Sequence, residues 1–173
     1  VPSPWREINT MTVAFGHGIA VAPVQLASAV GTVINGGVRH PITLLKRDAI
    51  PEGERIFSEA TSAQMRRLMR LVVEHGTGKN ADAPGYLVGG KTGTAKKATG
   101  RGYVAGKYQS VFAGMAPISK PRFVMVVMID EPGGKEYYGG IVAAPTFAKV
   151  MQAALRLYNV APDDPGTTLL LAS

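Results

Sequence analysis

Residues 84–97, "PGYLVGGKTGTAKK", decide the fold, because two incompatible structures fit them. Read from Gly85, they give G-x-x-x-x-G-K-T, the spacing of a phosphate-cradling P-loop. Read from Gly89, they give a glycine-rich β-strand. A P-loop must leave a buried strand and open directly into a helix, whose N-terminus holds the phosphates. The preceding residues 79–84, "KNADAP", are polar and broken by proline. The following residues 93–102, "GTAKKATGRG", contain three glycines and no apolar face. A hydrophobic strand ending in acid, "FVMVVMIDE" at 123–131, lies downstream as a Mg²⁺-holding strand would, but both flanks of the loop are wrong. The strand is the better reading.

As a strand, period-two alternation puts Thr92 and Thr94 on one face, with Lys96 next on the same side. Gly89, Gly90 and Gly93 remove side chains, which weakens a strand but lets another backbone approach closely. Hydroxyls and lysines on a cleared edge suit capture of an extended peptide ending in a carboxylate, by strand addition and charge-assisted hydrogen bonds. The same residues also fit a glycine-rich hairpin arm with a solvated basic end.

Working outward, residues 1–23 are punctuated by Pro and Gly and predict irregular chain leading into a helix. That helix starts near Pro23, where proline is tolerated in the first turn. It carries Val24, Ala27, Val30 and Ile34 at helical spacing and closes at Asn35-Gly36-Gly37. A short strand is expected at Ile42–Leu45. A second helix is expected behind a capping-box pair, Thr61 and Gln64. Its apolar face is Met65, Leu68, Met69 and Val72, and it ends at His75-Gly76. The second half predicts three strands, within 86–97, 108–117 and 121–132. Phe123–Ile129 is apolar without alternation, as in a strand covered on both faces. A last helix after Pro145 presents Phe147, Val150, Met151, Ala154 and Tyr158. The layout is α/β of the α+β type, an antiparallel or mixed sheet with helices on both faces. Residues 1–161 are expected to form the domain and 162–173 a flexible tail.

The chain has 173 residues, 46% of them hydrophobic, enough for one domain with a core. With no cysteine it has neither disulfides, nor a Cys-bound zinc, nor a thiol nucleophile. The formal charge of +7 predicts attraction to anions. Its basic residues are too scattered for a nucleic-acid stripe, so no nucleic-acid partner is expected. His17, His40 and His75 are too dispersed for a metal site. Asp130-Glu131 reads as strand-end acid paired with lysine. No apolar run approaches the roughly 20 residues that span a bilayer. The start at Val1, without an initiator Met or signal pattern, reads as a piece of something longer, with any anchor outside it.

Three segments, 8–37, 72–97 and 124–151, together with the Lys91-Thr92-Gly93 box, resemble in that order the transpeptidase domain of class B penicillin-binding proteins. The likeness is greatest to the division-specific septal peptidoglycan transpeptidases of Gram-negative bacteria. It runs from Val1 to about Pro162 and corresponds to the C-terminal part of that domain, so a partial domain is expected. The family uses Ser-x-x-Lys, Ser-x-Asn and Lys-Thr-Gly. No serine here has Lys three residues on or Asn two residues on. The resemblance therefore implies that the nucleophile lies upstream and that this chain alone is inactive.

The resemblance also implies acyl transfer through a serine ester, inhibition by β-lactams, and no cofactor or metal. Lys91 would be the box lysine. Thr92 and Thr94 would bind the substrate carboxylate, the Thr94 N–H would form half of an oxyanion hole, and Gly93 would keep the strand clear. Lys96 would assist, and Tyr108, Tyr137 and Tyr138 would wall the site. The implied partners are the D-Ala-D-Ala stem peptide, β-lactams, the upstream part of the domain and other division proteins. The implied location is the periplasmic face of the inner membrane. A non-catalytic penicillin-recognising sensor would keep the same strand. A D,D-carboxypeptidase or β-lactamase is less similar in the flanking segments.

Overall fold

The computed structural model describes residues 1–99, 102–164 and 166. Three long strands form its centre. Strand β3 (Gly89–Thr99) pairs antiparallel with β4 (Gly102–Ala116), which pairs antiparallel with β5 (Phe123–Asp130), in the order β3-β4-β5. Register sets Thr92 opposite Phe112, Thr94 opposite Ser110 and Lys96 opposite Tyr108, with an irregularity between Lys96 and Ala98. The expected three strands, antiparallel sheet and helices on both faces are all present.

Alternation along β4 divides the core. Phe112 and Ala116 face α5 (Ala144–Leu157), whose Phe147, Met151 and Leu155 are fully buried. Phe112 and Phe147 meet edge to face with centroids 4.7 Å apart. Met115 points the other way and packs with Ile34 of α2 (Pro23–Ile34) and Met69 of α3 (Glu59–Glu74). The third helical residue of α3's buried side, Val73, joins the α5 cluster, so this helix touches both cores. Burying each such side chain contributes about 1.5–3 kcal/mol.

Helix α2 ends as its sequence implies. Asn35 brackets Val38, accepting from its N–H and donating to its carbonyl, while Gly36 and Gly37 take φ of 96° and 87°. At Gly37 a Cβ would lie 2.3 Å from the Phe57 carbonyl oxygen, so the glycine is required twice over.

Several expectations are corrected. The opening is not wholly irregular, because α1 occupies Glu7–Ala14. Prolines and glycines flank it without entering it, and Asn9 closes its first turn by accepting from Arg6 N–H at 2.8 Å. It buries no residue, so it leaves no apolar period to read. No strand forms at 42–45. There the Thr43 hydroxyl bonds to the Leu45 backbone in a local turn, and Leu44 and Leu45 are exposed. The short ladder is instead β1 (Val38–Arg39) with β2 (Glu54–Arg55). Helix α3 is capped by Ser58, whose side chain accepts from Thr61 N–H, so Thr61 lies inside the helix.

The face of α3 is also rotated from expectation: Ser62, Met69 and Val73 are buried, whereas Met65 and Leu68 are exposed. On α5, Leu155 is buried where Val150 was expected, and Val150 is exposed. Strand β5 is only half-buried, because among the described residues no strand pairs with its outer edge. Of the expected tail, residues 165 and 167–173 lie outside the described residues. Asp163 accepts from Leu87 N–H at 2.7 Å and Ser119 N–H at 3.1 Å.

Candidate active site

The site is built on the edge of β3 that faces away from β4. Lys91 and Gly93 point to the α2–α3 face, and Thr92, Thr94 and Lys96 to the α5 face, as alternation requires. The Lys91 ammonium folds around the edge and donates to the Thr92 carbonyl at 3.2 Å and, at 3.5 Å, to Thr92 Oγ1. Thr92 Oγ1 lies 2.7 Å from Thr77 Oγ1. Thr94 Oγ1 accepts the Gly139 N–H at 3.1 Å. A lysine head and two threonine hydroxyls therefore line one edge.

Helix α4 (Gly139–Val142) presses on this strand through two glycines. A Cβ at Gly139 would lie 2.3 Å from the Val111 oxygen and 2.5 Å from the Gly93 oxygen. One at Gly140 would lie 2.2 Å from the Thr77 oxygen. Only glycine permits this approach, and it brings the preceding tyrosines onto the sheet. Tyr137 stacks on Tyr108 with centroids 3.9 Å apart and planes 9° from parallel. Tyr138 follows 4.5 Å from Tyr137, and the two phenols hydrogen-bond at 3.3 Å. The buried Ser110 hydroxyl donates to the Tyr137 carbonyl and fixes the loop from below. Hydrogen bonds with Tyr138 and Tyr108 push the Tyr137 phenol up to about 12. The Tyr137 phenol therefore stays neutral at physiological pH.

Charge is distributed unevenly along the strand. Lys97 is tied to Asp130 at 2.8 Å and to Glu131 at 2.7 Å, and Lys107 reaches Glu131 at 2.8 Å. Hydrogen bonds from Lys107 and Lys97 push Glu131 down to about 2. Among the described residues Lys91 and Lys96 form no ion pair, so their charges are available to an anion.

The glycines of the strand have different reasons. A Cβ at Gly90 would lie 2.4 Å from the Phe112 ring, and one at Gly89 2.7 Å from Ile118. These two serve internal packing, which corrects their reading as a clearing for a ligand. A Cβ at Gly93 would meet only Val111 Cβ, at an ordinary 3.7 Å, and its φ is not positive. Nothing among the described residues demands glycine there.

Lys91 also borders an apolar trough of about 300 Å³ lined by Ala29, Val30, Val33, Met65, Leu68 and Val72. A larger cavity of about 470 Å³, between the α2 C-terminus and the start of β5, shares no residue with the strand site. Among the described residues no cluster of His, Asp or Glu is arranged to hold a metal. No helix among them is long and apolar enough to cross a membrane.

All eight residues expected at the site thus lie on one strand or on the tyrosine stack beside it. Thr77, Ser110, Gly139 and Gly140 were not foreseen. Thr77 sits in "HGTG", legible only as a helix stop. Gly139-Gly140 reads as loop punctuation, although a glycine pair immediately after two tyrosines signals close packing against a sheet.

A family model described as the penicillin binding protein transpeptidase domain matches residues 1–152. The peptidoglycan D,D-transpeptidase FtsI of Escherichia coli is 40% identical over 160 residues, covering 92% of this chain and 27% of that protein. "Probable peptidoglycan D,D-transpeptidase PenA" of Neisseria gonorrhoeae is 40% identical over 164 residues, covering 94% and 28%. The apo transpeptidase domain of Burkholderia pseudomallei penicillin-binding protein 3 superposes with a TM-score of 0.86 at 41% identity. That match covers 94% of this chain and 50% of the solved one. The chain thus spans less than a third of the length of each of these two transpeptidases, FtsI and PenA.

Proposed function

The chain belongs to the penicillin binding protein transpeptidase domain family, and on that premise we propose that it forms the substrate-holding part of a peptidoglycan D,D-transpeptidase working at the division septum. The observation that carries the reading is the edge of β3, where Lys91, Thr92 and Thr94 present cationic and hydroxyl donors beside a glycine that the chain itself does not need. A strand edge of this kind takes an extended peptide by main-chain pairing, and its donors suit the terminal carboxylate of a D-Ala-D-Ala stem peptide.

The chemistry is acyl transfer. A serine oxygen attacks the carbonyl between the two D-alanines. The C–N bond breaks, and the hydroxyl proton ends on the departing D-alanine amine. The amine of a second stem peptide then attacks the ester carbonyl, which forms the cross-link and returns the serine. In this reading the Thr94 N–H contributes one oxyanion donor, Lys96 adds positive potential, and Tyr108, Tyr137 and Tyr138 form an aromatic wall beside the peptide. A β-lactam places its carboxylate on the same donors and acylates the same serine. The reaction uses no metal or cofactor.

The nucleophile is assigned to residues outside this chain, since no Ser-x-x-Lys occurs within it. Two surfaces support an absent portion of the domain covering this one. The outer edge of β5 is unpaired among the described residues although the strand is apolar from Phe123 to Ile129. The trough beside Lys91 is walled by Met65, Leu68 and Val72, the apolar stripe that α3 leaves uncovered. We place the complete protein at the periplasmic face of the inner membrane, anchored by a segment outside this chain, with other division proteins as partners.

Fluorescent penicillin tests the assignment. It should label a serine of the complete protein and leave this chain alone unlabelled. Covalent labelling of the isolated chain would contradict it. If the complete protein binds penicillin but does not cross-link stem peptides, a sensor replaces the enzyme.

A further inference from the structure

Two groups that do not belong to the strand contact its hydroxyls. A threonine hydroxyl has one hydrogen to donate and two lone pairs that accept, whereas an ammonium and a backbone N–H can only donate. At Thr94, the Gly139 N–H occupies a lone pair, so the hydroxyl hydrogen remains for a ligand. At Thr92, the Lys91 ammonium approaches one lone pair at 3.5 Å, and the Thr77 hydroxyl stands 2.7 Å away. When Thr77 donates, both lone pairs of Thr92 are engaged and its hydrogen is directed outward. Without Thr77, Thr92 is free to turn its hydrogen elsewhere and meet an anion with a lone pair.

Thr77 is held where it can act. It lies in the turn after α3, and the next helical turn, Lys79–Ala81, is tied to α4 by Asn80 Nδ2, which donates to the Gly140 carbonyl at 2.9 Å. Gly140 packs against the Thr77 carbonyl so closely that any side chain there would displace it. The Thr77 turn, α4 and β3 are therefore tied together, through the same glycine pair that brings in the tyrosines.

We propose that Thr77 is a positioning residue for carboxylate recognition, holding Thr92 as a hydrogen-bond donor in concert with the Gly139 N–H on Thr94. The inference rests on the reading that β3 receives a carboxylate. Its signature is selective. Loss of the Thr77 hydroxyl weakens reaction with ligands that carry the carboxylate and leaves unchanged those that do not.

The test measures acylation rate constants of the complete protein with benzylpenicillin and with its carboxamide, for wild type, Thr77→Val and Thr77→Ser. Valine matches threonine in size and lacks the hydroxyl, and serine keeps the hydroxyl. Thr77→Val should lower the rate with benzylpenicillin about threefold to tenfold, the range of one neutral hydrogen bond. Its rate with the carboxamide should not change, and Thr77→Ser should restore the wild-type ratio. An unchanged ratio in Thr77→Val, or an equal fall with both ligands, overturns the inference while leaving the acyltransferase assignment standing. A wild-type complete protein that neither compound acylates brings down the assignment and the inference with it.

Discussion

Gly93→Ala separates a glycine kept for a ligand from one kept for the fold. The added methyl meets only Val111 Cβ at 3.7 Å, an ordinary contact, and the backbone at 93 is not in the left-handed region. Replacing glycine by alanine at such a position removes freedom from the unfolded chain and stabilises by about 0.4–1 kcal/mol. Stability of the complete protein should therefore hold or rise slightly, as measured by urea unfolding. Acylation should collapse, because the methyl stands where an acylating ligand must lie against the strand. If the ligand is displaced far enough to lose the Thr94 N–H, the cost is about 2.7–4 kcal/mol, or roughly 10²–10³ in rate. Penicillin labelling kinetics on the same preparation supply the second measurement. A variant destabilised by more than about 2 kcal/mol, or one acylated at the wild-type rate, refutes the reasoning.

Two further substitutions probe the surroundings of the strand. Gly139→Ala should behave oppositely, since its Cβ would lie 2.3 Å and 2.5 Å from backbone oxygens that cannot swing aside. A loss of about 3 kcal/mol, the upper part of the overpacking range, is expected in urea unfolding, and an unchanged midpoint counts against it. Glu131 reads out acid behaviour, because Lys107 and Lys97 hold it at about 2 rather than the ordinary 4.5. A depressed carboxylate contributes stability that is present above 4.5 and is lost as pH falls toward 2. Glu131→Gln should therefore flatten the fall of thermal midpoint with acid across that interval, and identical slopes in the two proteins exclude the assignment.

How much of this was legible depended on whether local chemistry or distant packing set each element. Strand β3 declared itself because both flanks of the alternative P-loop were physically wrong over a few residues. Helix α2 declared itself through Pro23, an apolar period and Asn35-Gly36-Gly37. The rotation of α3 was not legible. Its most regular apolar stripe, Met65, Leu68 and Val72, borders an open trough, while the buried face includes Ser62, whose hydroxyl accepts from Gly36 N–H across the fold. Helix α1 was equally hidden, since a helix that buries nothing has no reason to carry a periodic pattern.

The site shows the same division within a single residue type. Gly89, Gly90, Gly93, Gly139 and Gly140 look alike in sequence, and only space tells them apart. Four of them are explained by an atom of this chain: Ile118, Phe112, the Val111 carbonyl and the Thr77 carbonyl. Gly93 has no such atom among the described residues, although it lies between Thr92 and Thr94, the two threonines of the proposed carboxylate site. A glycine that packing among the described residues does not require, on a strand edge with no strand partner among them, fits the proposed ligand lying against it. That remainder after internal packing links the fold to the proposed acyl transfer, since it points to the strand independently of the lysine and threonines proposed to recognise the ligand.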